Sequence, residues 1–108
     1  MSTASYTYLE DLGDLIAEIP SDSILSRTFY QDEKIKAILF GFDKGQELSE
    51  HTAFTSAILY FLRGEADLTL GGEARHAKAG TWVYMPPHLP HSVVAKTPLV
   101  MLLLMIAS

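Results

Sequence analysis

Short segments rich in β-branched and aromatic residues recur along most of this chain, and turn residues separate them. About nine such segments occur, with a turn after about every six to twelve residues. The clearest turn is the glycine pair at 71–72, a two-residue hairpin signal after residues 65–70, in which apolar and polar side chains alternate. This pattern predicts an all-β sandwich or barrel.

The turn residues also predict where the strands begin and end. One short helix is expected at the N-terminus, because Thr7 and Glu10 have the spacing of a capping box and Leu and Ile recur at helical intervals up to Pro20. Residues 43–50 are predicted to form a loop. The predicted strands are 23–30, 34–42, 51–64 (with a possible bend), 65–70, 73–80, 81–86, 91–95 and 98–107.

Composition narrows the class of protein and its partners. The 108 residues are 48% hydrophobic and 19% charged, which argues against disorder and predicts a single domain over 1–108. The net charge of −5, without a cluster of Lys or Arg, argues against nucleic acid and anionic membranes as partners. The absence of cysteine excludes thiolate chemistry. Residues 1–8 lack the basic start and apolar core of a secretory signal, so the expected location is the cytoplasm.

Two predicted strands are apolar on both faces, at residues 58–62 and 100–106. Only one face of a barrel strand packs against the core. The second apolar face must therefore be buried by the other sheet, the N-terminal segment or another subunit. A homodimer is the economical prediction, because monomers rarely expose a large apolar patch.

Two motifs in the sequence resemble those of the cupins, G-x5-H-x-H-x3-E-x6-G and G-x5-P-x-G-x2-H-x3-N. The matching residues of this chain are Gly45, His51 and Gly64 in the first motif, and Gly80, Pro86 and His91 in the second. The resemblance implies a double-stranded β-helix, the cupin jelly-roll barrel. Its core would span about residues 34–107, with the N-terminal helix and strands in 6–30.

The chain departs from the cupin motifs at four positions. Ala53 and Ala57 replace the second histidine and the glutamate, His88 replaces a glycine, and Ala95 replaces the final asparagine. The family's inner face carries up to three histidines and a glutamate around one metal ion, so the resemblance leaves only His51 and His91 as ligands.

The resemblance also predicts where a ligand would bind. Positions 51, 53, 55 and 57 share the inward face if their strand is regular, and the fold places the strand that begins at His91 beside them. Two imidazoles would then face a cavity widened by two alanines. The predicted pocket consists of His51, Ala53, Thr55, Ala57, Leu59, Phe61, Trp82, Tyr84, His88 and His91.

The sequence leaves the chemistry of this pocket open. One alternative is a barrel that binds a small organic molecule through His51 and His91. Another is a metal-dependent enzyme of oxygenase, isomerase or decarboxylase type, with one divalent Zn, Ni, Fe or Cu ion on these two histidines. A third donor would come from His88, Glu47, Glu50 or Tyr84. Further alternatives are a histidine acting as a general base without metal, or a structural barrel in which His91 binds a strand carbonyl and His51 is a strand-end residue half in solvent.

Overall fold

The computed structural model of the protein describes residues 5–107. Met1–Ala4 and Ser108, which belong to the predicted domain, lie outside the described residues. Within 5–107 a single 3-10 turn, Leu12–Leu15, precedes nine strands. The strands are β1 (Ile24–Gln31), β2 (Ile35–Phe42), β3 (Glu47–His51), β4 (Ser56–Arg63), β5 (Ala66–Leu70), β6 (Glu73–Ala77), β7 (Trp82–Met85), β8 (His91–Ala95) and β9 (Leu99–Ile106). Among these residues, no helix has the length and apolar character needed to cross a membrane.

The strands form two antiparallel sheets, which confirms the predicted all-β jelly-roll barrel. One sheet has the order β1-β2-β9-β4-β7, and the other has the order β3-β8-β5-β6. The two-residue turn predicted at 71–72 joins β5 to β6. Because consecutive strands cross between the sheets, segments distant in sequence become neighbours, as β3 and β8 do.

The predicted N-terminal helix is reduced to the 3-10 turn. Thr7 and Glu10 do not form its cap; instead the Asp11 side chain accepts a hydrogen bond from the Gly13 N–H at 2.9 Å. The next carbonyls, which a longer helix would use, accept hydrogen bonds from arginine side chains. Arg27 binds the carbonyl of Leu15 and Arg63 binds the carbonyl of Ile16, each at 2.9 Å. Residues 16–20, which we call the strap, are therefore not helical, and Ile16 and Ile19 lie beside Gly41 of β2.

The strand boundaries around residue 51 also differ from the prediction. Glu47–His51, most of which was predicted to be loop, is strand β3, and the predicted strand 51–64 is divided by a link at residues 52–55. Most of β3 is exposed and polar, so its sequence resembles a loop. It lies at the edge of the four-stranded sheet, where only one neighbour, β8, is needed to fix it.

Apolar side chains fill the space between the sheets and also cover part of the outside. The inner cluster includes Phe42, Leu59, Phe61, Leu68 and Met101. A second cluster lies on the outer face of the five-stranded sheet, where Ile16 of the strap packs on Leu39 and Val100. The strap thus covers part of the outer apolar face, which is one of the three possibilities expected from the sequence.

Candidate functional site

His51 and His91 lie side by side on neighbouring strands. His51 ends β3, His91 begins β8, and the two are direct cross-strand partners after a register shift in β3. Their ring centroids are 4.2 Å apart with planes tilted by 58°. His91 is buried, at 9% exposure, whereas His51 is exposed at the open end of the barrel. Residues forty positions apart therefore present two imidazoles to one point.

Each imidazole is oriented by the backbone two residues before it. Nδ1 of His51 lies 2.8 Å from the Ser49 carbonyl oxygen, and Nδ1 of His91 lies 2.9 Å from the Leu89 carbonyl oxygen. A carbonyl oxygen only accepts hydrogen bonds, so each Nδ1 carries a proton and donates it. In the neutral imidazole, Nε2 then keeps its lone pair. The two rings are held in the tautomer that can accept a hydrogen bond or ligate a metal at Nε2.

The two rings line a cavity of about 140 Å³ between the sheets. A cavity of about this size can hold a molecule as large as benzene. None of its lining side chains is acidic or carries the charge of a lysine or arginine. The lining residues are His51, Ala53, Thr55, Ala57, Met85, Pro86, Leu89, His91, Leu103 and Met105. The cavity is therefore an apolar space with a few polar atoms.

Thr55 contributes the remaining polar side chain of the cavity wall. Its Oγ1 is buried and has no hydrogen-bond partner among residues 5–107. Buried polar groups are almost always hydrogen-bonded, and an unpaired one calls for an explanation. A hydroxyl can both donate and accept, but this oxygen has almost no accessible surface, so Thr55 would bind a molecule inside the cavity only after its side chain rotates.

The structure places the other predicted pocket residues outside this cavity. Leu59 and Phe61 share the inward face but lie deeper, in the packed core. Trp82 and Tyr84 pair with Tyr60 and Ile58, so they point to the outer face and are 59% and 50% exposed.

His88 is exposed on the loop before β8, with φ of 69°, and its ring stands edge-on to Phe54 at 5.8 Å. Its backbone N–H donates to the Ala53 carbonyl at 2.8 Å, which joins the loop before β8 to the link 52–55. His88 therefore supports the cavity wall through its backbone, and its side chain lies outside the lining.

Half of the residues that line the cavity were not predicted from the sequence. Met85 and Met105 flank Ala57 on the two neighbouring strands, and Leu103 lies on the same inner face of β9. Both faces of β7 and β9 are apolar, so alternation could not indicate which residues point inward. Pro86 and Leu89 belong to the turn before β8 and carry no periodic signal. The sequence signal that could have found Met85 is its place next to the motif proline.

The residues present do not complete the metal site that the resemblance implies. Ala53 and Ala57 line the cavity where the family has a histidine and a glutamate. Glu47 is a cross-strand partner of Val94 and is exposed, and Glu50 is exposed as well. Within the part of the chain that is described, no group of three or more His, Cys, Asp or Glu could hold a metal ion. Two imidazoles are fewer than the three protein ligands of a typical catalytic zinc site.

Several solved structures have the same fold as this chain. No curated protein matches the chain. A solved structure of a conserved protein of unknown function from Streptococcus pyogenes is 29% identical, with a TM-score of 0.84 over 99% of this chain and 93% of that one. A cupin superfamily protein from Desulfitobacterium hafniense is 24% identical, with a TM-score of 0.85 over 99% and 100%.

A more distant structural match carries an enzyme name. A salicylate 1,2-dioxygenase variant from Pseudoaminobacter salicylatoxidans is 14% identical, with a TM-score of 0.72 over 77% of this chain and 26% of that one, and shares the fold alone. The sequence profile described as cupin domain matches residues 38–106, more than half of the chain. The chain therefore belongs to the cupin domain family.

Proposed function

We propose that this protein binds a small organic molecule inside its barrel, with His51 and His91 fixing one polar group of the ligand. The observation that carries the proposal is the pair of Nδ1–carbonyl hydrogen bonds, which leaves an Nε2 lone pair on each of two rings that line one apolar cavity. Small-molecule sites are typically apolar pockets with a few placed polar groups. A purely structural pair would need no cavity beside it.

The polar atoms of the cavity indicate which group they would bind. Each Nε2 can accept a hydrogen bond, so the bound group should be a donor such as a hydroxyl, whose single hydrogen binds one Nε2 at a time. The Thr55 hydroxyl, which has no partner within residues 5–107, can donate in return to the oxygen of that group once its side chain rotates. The apolar remainder of the wall suits an aromatic or short aliphatic skeleton of about benzene size.

Phenol and toluene test the proposal, because they have nearly the same size and differ in one hydroxyl. Ligand-observed NMR titrations should show phenol binding about fivefold more tightly, since one hydrogen bond contributes about 1 kcal/mol. His51→Ala and His91→Ala should remove this preference. His76→Ala is the matched control, because His76 is an exposed residue of β6 that contacts Glu65 and Asp67.

Thermal melts of each variant exclude loss of the fold as the cause. Equal binding of phenol and toluene to the wild type would contradict the proposal. So would a hydroxyl preference that survives both histidine substitutions.

The second candidate is a metal-dependent enzyme that acts on a small organic substrate. The observation that favours it is again the Nδ1–carbonyl hydrogen bonds, because metal-ligating histidines usually donate their other N–H to a carbonyl or carboxylate. His51 and His91 would supply two ligands, and water or substrate would supply the others. Elemental analysis of untagged protein tests this candidate. One equivalent of Zn, Ni, Fe or Cu that is lost in His51→Ala and His91→Ala, but kept in His76→Ala, would support it over metal-free binding.

We also propose that the protein is a homodimer. The proposal is supported by an aromatic patch, which we define as Tyr60, Trp82 and Tyr84, on the outer face of β4 and the edge strand β7. These side chains are 40%, 59% and 50% exposed, and β7 has one unpaired edge. A second copy of the chain would cover the aromatic patch and the unpaired edge of β7. The cytoplasmic location stays a prediction from the N-terminal sequence.

Light scattering tests the dimer. The wild type should have twice the chain mass of 11.9 kDa. Trp82→Glu should lower the mass to that of the monomer, because it places a charge in the patch. Phe54→Glu should stay dimeric, because Phe54 is 89% exposed but belongs to the link 52–55 and not to the outer face of β4 or β7. A monomeric wild type would refute the dimer.

A further inference from the structure

One cross-strand row of side chains leads out of the histidine cavity. Met85, Ala57 and Met105 are direct partners on β7, β4 and β9, and all three line the cavity. The same row continues to Lys36 on β2, the partner of Met105, and to Gln31 on β1. Directly paired residues of antiparallel strands project to the same face of the sheet. Lys36 therefore lies on the inner face, one strand beyond the cavity wall.

A groove of about 250 Å³ lies at this end of the row, next to the cavity. Thr55 and Met105 line both the groove and the cavity, so these two residues lie at the boundary between them. Lys34, Lys36, Asp32 and Glu33 supply the charged groups of the groove. A ligand longer than the cavity would pass Thr55 and Met105 and meet these groups.

Lys34 and Lys36 are the two cations of the groove, and Lys36 is the one on the cross-strand row that leads from the cavity. It is half-buried, which distinguishes it from the exposed Lys34. The ion pairs found among residues 5–107 involve Arg75 or His76 and not Lys36. The Asp32 carboxylate already accepts hydrogen bonds from the Tyr30 hydroxyl and from the backbone N–H groups of residues 34 and 35. Glu33 is exposed on the hairpin turn.

The Lys36 ammonium has no counter-ion among residues 5–107, so an anionic ligand in the groove would gain an ion pair with it. We propose that the ligand is a small organic carboxylate whose carboxylate binds Lys36. Its hydroxyl-bearing or apolar part occupies the histidine cavity, and the ligand passes between Thr55 and Met105. This inference rests on the proposed function, and it adds the chemical class of the ligand.

Matched acid and amide pairs test this assignment, because a primary amide has the shape of a carboxylate without its charge. The probes are 3-hydroxybenzoate with 3-hydroxybenzamide, and 6-hydroxyhexanoate with 6-hydroxyhexanamide, which differ in reach. In at least one pair the acid should bind about tenfold more tightly than the amide, as expected for one charge-assisted hydrogen bond. Lys36→Met should remove this preference and leave binding of the amide unchanged.

Lys34→Met is the matched control, because Lys34 lines the same groove but is exposed, and it should keep the preference. Equal affinity of acid and amide in both pairs would overturn the carboxylate assignment, and so would a preference that survives Lys36→Met. Phenol binding would be unaffected by either result, so this failure is distinct from failure of the proposed function. Binding of none of these probes, with phenol also unbound, would overturn both.

Discussion

Replacing Thr55 by valine should stabilise the protein in the absence of ligand. The Thr55 Oγ1 is buried without a hydrogen-bond partner among residues 5–107, and leaving such a group unpaired costs about 1–3 kcal/mol. Valine has nearly the same shape, so it removes this cost and buries one more methyl group, worth up to about 0.8 kcal/mol. A water molecule in the cavity would satisfy part of the hydroxyl. We therefore expect the free energy of unfolding to rise by about 1 to 2 kcal/mol.

Urea unfolding followed by circular dichroism measures this change directly, and the melting temperature should rise by about 4–8 °C. Thr55→Ser is the matched control. It keeps the hydroxyl and deletes the methyl group, so it should lower the free energy of unfolding by about 0.5–1 kcal/mol. The valine variant should also bind phenol less tightly than the wild type, because it cannot donate to the phenol oxygen. A valine variant less stable than the wild type would refute the reasoning.

Three further predictions concern the framework of the barrel. Gly64→Ala should destabilise the protein by about 3 kcal/mol in urea unfolding, because φ is 86° and a Cβ would lie 2.1 Å from the Pro98 carbonyl oxygen. His88→Gly should raise the melting temperature, because His88 has φ of 69° where an L-residue is strained. Hydrogen bonds from the Tyr30 hydroxyl and two backbone N–H groups hold the pKa of Asp32 below the usual value of an aspartate. Their stabilising effect is present above the unfolded-state pKa and is lost as the pH falls through the folded-state pKa, so Asp32→Ala should lose less stability than the wild type in acid.

Much of the fold follows from local signals in the sequence. The alternation of residues 65–70 and the glycine pair after them specify the β5–β6 hairpin, since few other conformations suit both. The helix prediction failed because its decisive contacts are not local. Arg27 and Arg63 take the carbonyl groups that a helix would use, and one of them lies 47 positions away from its partner.

The sequence predicted only part of the candidate site. Motif spacing put His51 and His91 at the ends of strands that the fold brings together. The inward face of a strand such as Trp82–Met85 was not readable, because aromatic and aliphatic residues alternate there without a polar face. Lys36 gave no signal at all, since its position beside the cavity depends on the pairing of β2 with β9.

The tautomers of the two imidazoles test the central claim most directly. A long-range ¹H–¹⁵N NMR spectrum, assigned with His51→Ala and His91→Ala, reports which ring nitrogen carries the proton. We predict protonated Nδ1 and free Nε2 in both neutral rings, because each Nδ1 donates to a carbonyl. Adding phenol should shift the Nε2 resonances of both rings and leave those of His76 unchanged. A proton on Nε2 of either ring, or phenol that shifts neither, would contradict the account.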